Sequence, residues 1–344
     1  MKFVKLILAF LLVTCVFTQE LDLDKEINDA FEAFLEKYQK IYNSQFEKDS
    51  RFNVFKNNYL ETHQTNGNIQ GTLEDDDNMK VGVTQFSDMT KEEFQSKILN
   101  LNMANIPKPS SANKKFLENE EERNLQSITI PSSWDWRLYG AVTNVKSQGA
   151  CGACWAFTAA ANIEGQYAIK YRKLMNFSVQ QMLDCSYGDS GCQGGIMNSA
   201  YDYISRAGGL QTDSSYSYIG YRGSCNFNPA LAVARVTGYQ FAPSTDETQI
   251  MAFLYSRGPL GITMNANNLQ FYRGGVISGP YSSCPYAPNH GVTIVGYGNT
   301  PAGTPYWVIK NSFGSGWGEG GYFRIVRNIG LCGINQYVIT ANLA

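Results

Sequence analysis

Apolar residues recur at helical spacing in the N-terminal part of the chain. Between residues 25 and 66 they lie three or four positions apart, which is the period of one helix face. These positions are Phe31, Phe34, Leu35, Tyr38, Phe52, Phe55 and Tyr59. The pattern predicts an amphipathic helical hairpin, in which Glu47 and Arg51 can pair because they are four residues apart. Thr90 and Glu93 have the spacing of a capping box and predict a further short helix.

The pattern changes from helical to β-rich farther along the chain. Residues 154–172 predict one more helix. From about residue 233 onward, short segments rich in Val, Ile, Tyr and Phe alternate with Gly and Pro turns, which is typical of strands. The best examples are residues 291–297, 306–310 and 322–327. A helical half therefore precedes a β-rich half, and the sequence contains no tandem repeat.

The longest apolar run of the sequence extends from Leu6 to Phe17 and follows Lys2 and Lys5. A membrane span needs about 20 apolar residues, so this shorter run favours a cleaved signal peptide over a membrane anchor. We expect residues 1–18 to be the signal peptide. The mature product is then expected in an oxidising compartment outside the cytoplasm, without a membrane association.

A linker divides the rest of the chain. Residues 105–127 contain Pro107, Pro109 and a charged run, a composition typical of an exposed segment that proteases cut. Residues 20–127 carry a net charge of −8 and residues 128–344 a net charge of +4. These opposite charges favour association of the two regions at neutral pH, and acid weakens it. No nucleic-acid partner is expected.

The cysteine count leaves one thiol over. Loss of Cys15 with the signal peptide leaves seven cysteines, and an odd count in a secreted domain means either pairing between molecules or a free thiol. Cys154 stands at the start of the helix predicted at residues 154–172. The positive end of the helix dipole stabilises a thiolate there, which predicts a lowered pKa for Cys154 and a nucleophilic role.

A cysteine nucleophile needs a base, and the candidate is His290. It is the only histidine in residues 128–344, since His63 lies in the acidic leader. A lone histidine is more often structural, but the odd thiol and the neighbouring glycine favour catalysis. The side-chain oxygen of Asn311 can hold the other ring nitrogen of His290, although spacing alone leaves Asn311 equally open as a turn residue.

Four further sequence patterns allow other interpretations. Cys151-Gly-Ala-Cys154 also fits a redox C-x-x-C motif, and Cys185 with Cys192 can complete a zinc site, but both patterns are usually intracellular. The glycine-rich segment 314–321 lacks the ending of a phosphate loop and predicts tight turns. Asn176-Phe177-Ser178 fits the glycosylation acceptor pattern. No metal or organic cofactor is predicted.

Three segments closely resemble the papain family of cysteine proteases, and the resemblance covers residues 20–344. The segments are Cys151-Gly152-Ala153-Cys154-Trp155, Asn289-His290-Gly291-Val292 and Lys310-Asn311-Ser312 through Gly316-Trp317-Gly318. The resemblance implies an α+β, papain-like, two-lobed fold. A helical lobe led by the Cys154 helix would pack against a β-barrel-like lobe carrying His290 and Asn311, with a helical propeptide preceding both.

Residue roles follow from the resemblance. Cys154 would be the nucleophile, His290 the general acid and base, Asn311 the group that orients His290, and Gln148 a donor to the oxyanion hole. Gly194-Gly195-Ile196-Met197 resembles the cathepsin L branch. The implied substrate-binding residues are Gly194, Gly195, Ile196, Met197, Trp317 and Tyr337, of which Gly195 would pair with substrate backbone while Ile196, Met197 and Tyr337 would form the S2 pocket. The implied disulfides are Cys151–Cys192, Cys185–Cys225 and Cys284–Cys332, which leaves Cys154 free.

The leader resembles the family's inhibitory propeptide. The matching positions are Glu47, Arg51, Phe55, Asn58, Asn66, Gly82, Phe86 and Asp88. Thr62 stands where an aliphatic residue is usual and Thr84 where asparagine is usual, which predicts a propeptide that folds or inhibits less tightly. Phe313 replaces a tryptophan that covers the asparagine–histidine bond. Phenylalanine can still exclude water, so we expect activity to survive.

The resulting expectation is a cysteine endopeptidase made as a zymogen, which hydrolyses peptide bonds through an acyl-enzyme thioester and prefers hydrophobic or aromatic P2 residues. Its domains would be a signal peptide (1–18), a propeptide (19–127) and a peptidase domain (128–344). Its partners would be protein and peptide substrates and its own propeptide, and it would be a monomer in a lysosome or digestive vacuole, or secreted. The alternatives are a thiol–disulfide oxidoreductase using Cys151 and Cys154, and a catalytically impaired homologue that binds peptides.

Overall fold

A computed structural model describes residues 22–68, 77–103, 128–279, 284 and 286–344. The predicted signal peptide at 1–18 and the predicted linker at 105–127 lie outside the described residues. Among the helices that are described, none has the length and apolar character needed to cross a membrane.

The leader forms the predicted helical hairpin, with a break at residues 39–44. Helix α1 spans residues 22–38 and helix α2 spans Gln45–Asn68. Phe31 and Phe34 of α1 pack against Phe55 of α2, with ring centroids 5.1 and 5.0 Å apart. All three rings are buried, so aromatic packing holds the two helices together.

The expected pair between Glu47 and Arg51 does not form. Glu47 lies in the first turn of α2, where its carboxylate accepts a hydrogen bond from the backbone N–H of Asn43 at 2.8 Å. Arg51 instead makes two hydrogen bonds to Glu93, at 2.5 and 2.8 Å. Arg51 therefore forms the tertiary contact with Glu93 in preference to the weak pair with Glu47 along the helix surface.

The capping box predicted at Thr90 is confirmed. The Thr90 hydroxyl accepts a hydrogen bond from the backbone N–H of Glu93, and the Glu93 carboxylate accepts one from the backbone N–H of Thr90. These bonds start helix α3, Lys91–Lys97, which buries Phe94. Strand β1, Lys80–Val81, lies between the hairpin and α3 and pairs with a strand of the following domain.

The helical lobe is built on the predicted helix at 154–172, which is observed as α4, Cys154–Tyr171. Its other helices are α5, Val179–Cys185, and α6, Met197–Ala207. Buried side chains lie on every side of α4, so this helix forms the centre of the lobe. The small sheet of β3, Leu210–Gln211, and β4, Ala232–Ala234, completes the lobe.

The second lobe is a sheet of eight strands among the described residues, and it covers helix α7, Glu247–Arg257. The strands of this sheet are β2 (Trp134–Asp135), β5 (Val236–Phe241), β6 (Leu260–Met264), β8 (Val276–Ile277), β9 (His290–Asn299), β10 (Pro305–Lys310), β11 (Tyr322–Val326) and β12 (Val338–Leu343). Seven of them follow the order β5-β12-β6-β9-β10-β11-β8, and β2 pairs with β9. Strand β7 (Tyr272–Gly274) lies outside this sheet and pairs with β1 of the leader. The strands predicted at 291–297, 306–310 and 322–327 are confirmed to within one residue at each end or lie inside longer strands.

The lobes meet along β12. Val338 faces the core of the sheet lobe, whereas Ile339 and Ala341 face the core of the helical lobe. Helix α4 also packs against both β9 and β12. The two-lobed α+β fold with a helical leader is therefore confirmed, and the ends of α4, β9 and β10 meet at one place between the lobes.

The three implied disulfides are present, and each joins Cα atoms 4.7 or 4.8 Å apart. Cys154 is the free cysteine of the described residues. Because Cys151 is bonded to Cys192, the C-x-x-C segment does not hold a redox pair, and Cys185 and Cys192 lie in two different disulfides. These findings contradict the oxidoreductase and zinc alternatives.

Candidate active site

Cys154 is the first residue of α4 and is fully buried. The preceding turn is held by the Cys151–Cys192 disulfide and by a 3.0 Å hydrogen bond from the backbone N–H of Gly152 to the carbonyl of Cys192. The Cys154 sulfur lies 3.8 Å from the backbone carbonyl oxygen of Asn100, a residue of the leader. The backbone N–H of Gly291 also faces the sulfur, which places Cys154 beside the start of β9.

His290 begins β9, and Asn311 follows β10 directly. Nε2 of His290 and Oδ1 of Asn311 are 2.9 Å apart, and the same oxygen accepts a hydrogen bond from the backbone N–H of Ser312 at 2.8 Å. An amide oxygen only accepts, so Nε2 carries the proton. Nδ1 is then the basic nitrogen, and it has no hydrogen-bond partner among the described residues. The ring is oriented with its basic nitrogen free for proton transfer.

Phe313 covers this pair. Its ring centroid lies 5.0 Å from that of His290, with an angle of 31° between the rings. Trp317 stands edge-on to Phe313 at 5.1 Å, and its indole N–H donates to the carbonyl of Leu269. Phe313 is 2% exposed, so phenylalanine shields the His290–Asn311 bond from water in the precursor.

Gln148 is held by hydrogen bonds at both ends of its side-chain amide. Its Oε1 accepts from the Ser312 hydroxyl at 2.6 Å. Its Nε2 donates to the carbonyl of Cys151 and to the carbonyl of Ile98, each at 2.9 Å. Ile98 belongs to the leader, so a leader carbonyl occupies a donor that the sequence analysis assigned to an oxyanion.

The leader also pairs with the predicted substrate-binding segment. Leu101 forms a parallel bridge with Gly195, and the backbone N–H of Asn102 donates to the Gly195 carbonyl at 3.1 Å. A Cβ placed on Gly194 would lie 2.8 Å from the carbonyl oxygen of Asn100. Only a glycine permits this approach of the two backbones.

The ionisation expected for Cys154 is wrong for this state. Burial raises the pKa of Cys154 to about 11, and hydrogen bonds from backbone groups, including those at the start of α4, offset only part of that rise. Burial lowers the pKa of His290 to about 4, against the opposing effect of its bond to Asn311. The helix dipole alone predicts a lowered pKa, but the leader lies over the sulfur and contributes to its burial. Both directions of shift favour the uncharged forms of Cys154 and His290 at neutral pH while the leader is in place.

The predicted S2 residues lie together, and Trp317 lies apart from them. Ile196, Met197 and Tyr337 belong to one buried cluster of the helical lobe. The Tyr337 hydroxyl donates to Oδ1 of Asn198 at 2.8 Å, which fixes the ring. Trp317 packs in the sheet lobe beside Phe313.

Several contacts inside the leader, and others between the leader and the following domain, were not predicted from the sequence. The Asp88 carboxylate accepts hydrogen bonds from Nζ of Lys40 at 2.8 Å and from the Tyr42 hydroxyl at 2.9 Å. Thr84 donates to the carbonyl of Gln270 at 2.6 Å, while Nε2 of Gln270 donates to the carbonyl of Met89 at 2.8 Å. The threonine that departs from the usual leader pattern therefore makes a direct hydrogen bond to the domain that follows the leader. The opposite net charges of the two regions predict that they associate, but they do not identify the residues that make contact.

Thr62, the other departure in the leader, is buried. Its hydroxyl donates to the carbonyl of Tyr59 within α2 at 2.9 Å, so the polar group is satisfied locally.

Within the described ranges, no group of three or more His, Cys, Asp or Glu side chains is arranged to hold a metal ion.

Comparisons with known proteins cover both regions of the chain. The model of the papain family cysteine protease domain matches residues 130–342, and the model of the cathepsin propeptide inhibitor domain, I29, matches residues 31–94. Fruit bromelain of Ananas comosus is 39% identical over 311 residues, which is 88% of this chain and 83% of bromelain. Cathepsin F of Drosophila melanogaster is 37% identical over 93% of this chain, which spans about half (51%) of that protein. The structure of a digestive procathepsin L2 proteinase from Tenebrio molitor larval midgut matches with a TM-score of 0.82 and 33% identity, over 92% of this chain and 100% of that one.

Proposed function

The chain belongs to the papain family of cysteine proteases and is a zymogen with an I29 propeptide, and on this premise we propose that it is a cysteine endopeptidase working through an acyl-enzyme thioester. The Cys154 thiol gives its proton to Nδ1 of His290, the sulfur attacks the peptide carbonyl carbon, and His290 passes that proton to the leaving amine as the C–N bond breaks. His290 next removes a proton from the water that attacks the thioester, and it returns this proton to the Cys154 thiolate as the acid is released.

One observation carries this proposal. His290 is already oriented by Asn311 at 2.9 Å, and the next residue, Gly291, directs its backbone N–H at the free Cys154 at the start of α4. Gln148 lies in the same place and donates to a carbonyl oxygen. A donor that binds the leader carbonyl of Ile98 in the precursor can bind the oxygen of a tetrahedral intermediate once the leader has left.

We extend the proposal to the substrate. Gly194 and Gly195 bind extended backbone, and Ile196, Met197 and Tyr337 favour hydrophobic or aromatic P2 side chains, since each has its apolar part in a buried cluster. Trp317 is proposed as a further substrate-binding residue, in the sheet lobe. Residues 19–127 are proposed as the propeptide and 128–344 as the mature domain, following a signal peptide at 1–18.

The same premise supports several expectations that rest on the family alone. The enzyme acts on proteins and peptides, is inhibited by its own propeptide, and works as a monomer. The enzyme is expected in a lysosome or digestive vacuole, or outside the cell after secretion. An impaired homologue is not favoured, because Phe313 still covers His290.

The experiment is acid maturation of the purified precursor under mild reduction. Mass spectrometry follows loss of the leader, and internally quenched peptides with Leu, Phe, Arg or Gly at P2 and blocked ends follow activity. Wild type should lose about 109 residues, estimated from the proposed propeptide bounds 19–127, and cleave the Leu and Phe peptides inside their sequence. The matched variants Cys154→Ala and Cys154→Ser should do neither. A wild type that matures but cleaves no peptide, and reacts with no thiol reagent, contradicts the proposal.

A further inference from the structure

Asp189 is a buried carboxylate that the proposed chemistry does not use. It lies in the loop between α5 and α6 and is 5% exposed. Its Oδ2 accepts a hydrogen bond from the Ser186 hydroxyl at 2.6 Å, and its Oδ1 accepts one from the backbone N–H of Ile196 at 3.0 Å. A buried charge is costly unless it is well bonded, so its presence here calls for a reason.

The second of these bonds fixes one particular peptide group. The N–H of Ile196 and the C=O of Gly195 belong to the same planar unit and point in opposite directions. The N–H points at Asp189. The carbonyl therefore points away from Asp189, and there it accepts the hydrogen bond from the backbone N–H of Asn102. An acceptor on one side of a peptide group polarises it and so makes its carbonyl a better acceptor on the other side.

Gly195 is confined from two sides. A Cβ on Gly195 would lie 2.6 Å from Oδ1 of Asp189 and 2.6 Å from the indole ring of Trp155. That indole is itself held by a hydrogen bond from its N–H to the carbonyl of Gly191 at 3.1 Å. Trp155 follows Cys154 directly, so the position of Gly195 is set relative to the sulfur by rigid neighbours.

The described leader shows what binds at this place. Leu101 pairs with Gly195 as an extended strand does, and Leu101 packs against the core of the helical lobe. The leader thus demonstrates that the Gly195 carbonyl recognises extended backbone next to Cys154.

We infer that Asp189 is a positioning residue, which holds the Gly195–Ile196 peptide group in the orientation that binds extended peptide backbone. Asp189 sets the affinity for the part of a substrate that pairs with Gly195. Asp189 itself does not touch the reacting atoms. The inference rests on the proposed protease function, and it adds a determinant of peptide affinity outside the set Gln148, Cys154, His290 and Asn311.

The test compares Asp189→Ala and Asp189→Asn with wild type after acid maturation of the full chain. Asp202→Ala is the control, because Asp202 is a partly buried carboxylate on α6, in the same lobe. Asp189→Ala should raise KM for an extended peptide about tenfold while kcat changes less than about twofold, since a hydrogen bond to a charged group has about that effect. Asp189→Asn keeps an oxygen for the Ile196 N–H and should restore most of the affinity. Asp202→Ala should leave both constants unchanged.

Two thiol reagents separate positioning from general damage. Iodoacetamide reaches Cys154 without pairing with Gly195, whereas a dipeptidyl fluoromethyl ketone presents an extended backbone. Asp189→Ala should slow the dipeptidyl reagent about tenfold and leave the iodoacetamide rate unchanged. Equal losses with both reagents, or an unchanged KM in a folded Asp189→Ala enzyme, would overturn the inference.

A readout that needs no activity separates this inference from the proposed function. In the full precursor carrying Cys154→Ala, hydrogen exchange of the segment 98–103 reports the Asn102–Gly195 bond. Adding Asp189→Ala should speed exchange of that segment about tenfold, and Asp202→Ala should not. An inactive wild type contradicts the proposed function alone, whereas unchanged exchange contradicts the inference alone.

If Asp189→Ala does not fold, Ser186→Ala, which removes the bond to Oδ2, should shift KM and exchange in the same direction by about threefold. No shift in that variant also overturns the inference.

Discussion

The side-chain amide of Gln148 donates a hydrogen bond to the carbonyl oxygen of Ile98 at 2.9 Å. Two further leader groups make similar contacts, since the carbonyl of Asn100 faces the Cys154 sulfur and the N–H of Asn102 bonds the Gly195 carbonyl. The leader therefore occupies the proposed oxyanion donor, the proposed nucleophile and the backbone-binding group at once. His290 and Asn311 are already paired beneath it, so latency comes from covering the site rather than from leaving it unassembled.

Thiol reactivity should rise when the leader is lost. Burial raises the pKa of Cys154 to about 11, so at pH 7 very little thiolate is present in the precursor. Iodoacetamide should alkylate the matured enzyme at least about tenfold faster than the precursor, as measured by intact mass against time. Cys154→Ala should take up no label, because the other described cysteines are in disulfides. Equal rates before and after maturation would show that the leader does not control ionisation.

Gln148→Ala should lower kcat about 100-fold or more with a smaller change in KM, because removal of one oxyanion donor typically costs 10²–10³ in rate. Steady-state kinetics on a blocked peptide measures both constants. Ser312→Ala is the matched control, since it removes the 2.6 Å bond to Oε1 of Gln148 and leaves the Nε2 donor in place. It should cost only a few-fold, and an equal loss in both variants would point to packing instead of oxyanion binding.

Phe313→Trp should keep or increase activity, and Phe313→Leu should lower kcat/KM by about three- to tenfold. Leucine retains apolar volume but loses the flat face 5.0 Å from the His290 ring, so water reaches the bond to Asn311. The measurement is the pH profile of kcat/KM, in which leucine should also move the alkaline limb. The leader rings Phe86 and Phe94 pack on Phe313 as well, so the same variant should hold its leader less tightly. A leucine variant indistinguishable from wild type would mean that covering the pair is unimportant.

Features encoded by neighbouring residues were predictable from sequence. The Thr90 capping box needs only residues 90 and 93, and helix α4 and strands β9 to β11 follow from local periodicity. The family signature supplied the disulfides, which spacing alone left open. Contacts between distant segments were not predictable, because 186 positions separate Thr84 from Gln270 and many partners would satisfy either. The pKa of Cys154 was mispredicted for the same reason, since the group that covers it lies 54 positions earlier in the chain.

Arg51 and Glu93 should set one step of acid activation. The hydrogen bonds from Arg51 lower the pKa of Glu93 to about 2, so the pair stabilises the leader fully above the ordinary carboxyl pKa of 4.5. That stabilisation is lost as pH falls from about 4.5 toward 2. Glu93→Gln should therefore raise the pH at which half of the precursor matures, as followed by gel densitometry across pH. Glu92→Gln, at the neighbouring exposed position, should not shift that midpoint, and a shift of equal size there would remove the special role of Glu93.

His290 should supply a second step at higher pH. Burial lowers its pKa from the usual histidine value of 6.5 to about 4, so the unfolded protein binds a proton that the covered precursor does not. Stability of the covered state is then full above about pH 6.5 and falls as pH drops toward 4, by about 3 kcal/mol across that window. Urea denaturation of the Cys154→Ala precursor between pH 7 and 4 measures the slope of the free energy of unfolding against pH. A second precursor that also carries His290→Gln should lack the part of this slope that comes from His290. Because both proteins keep His63 and Glu93, the difference between the two slopes belongs to His290. Parallel slopes would mean that protonation elsewhere drives release of the leader.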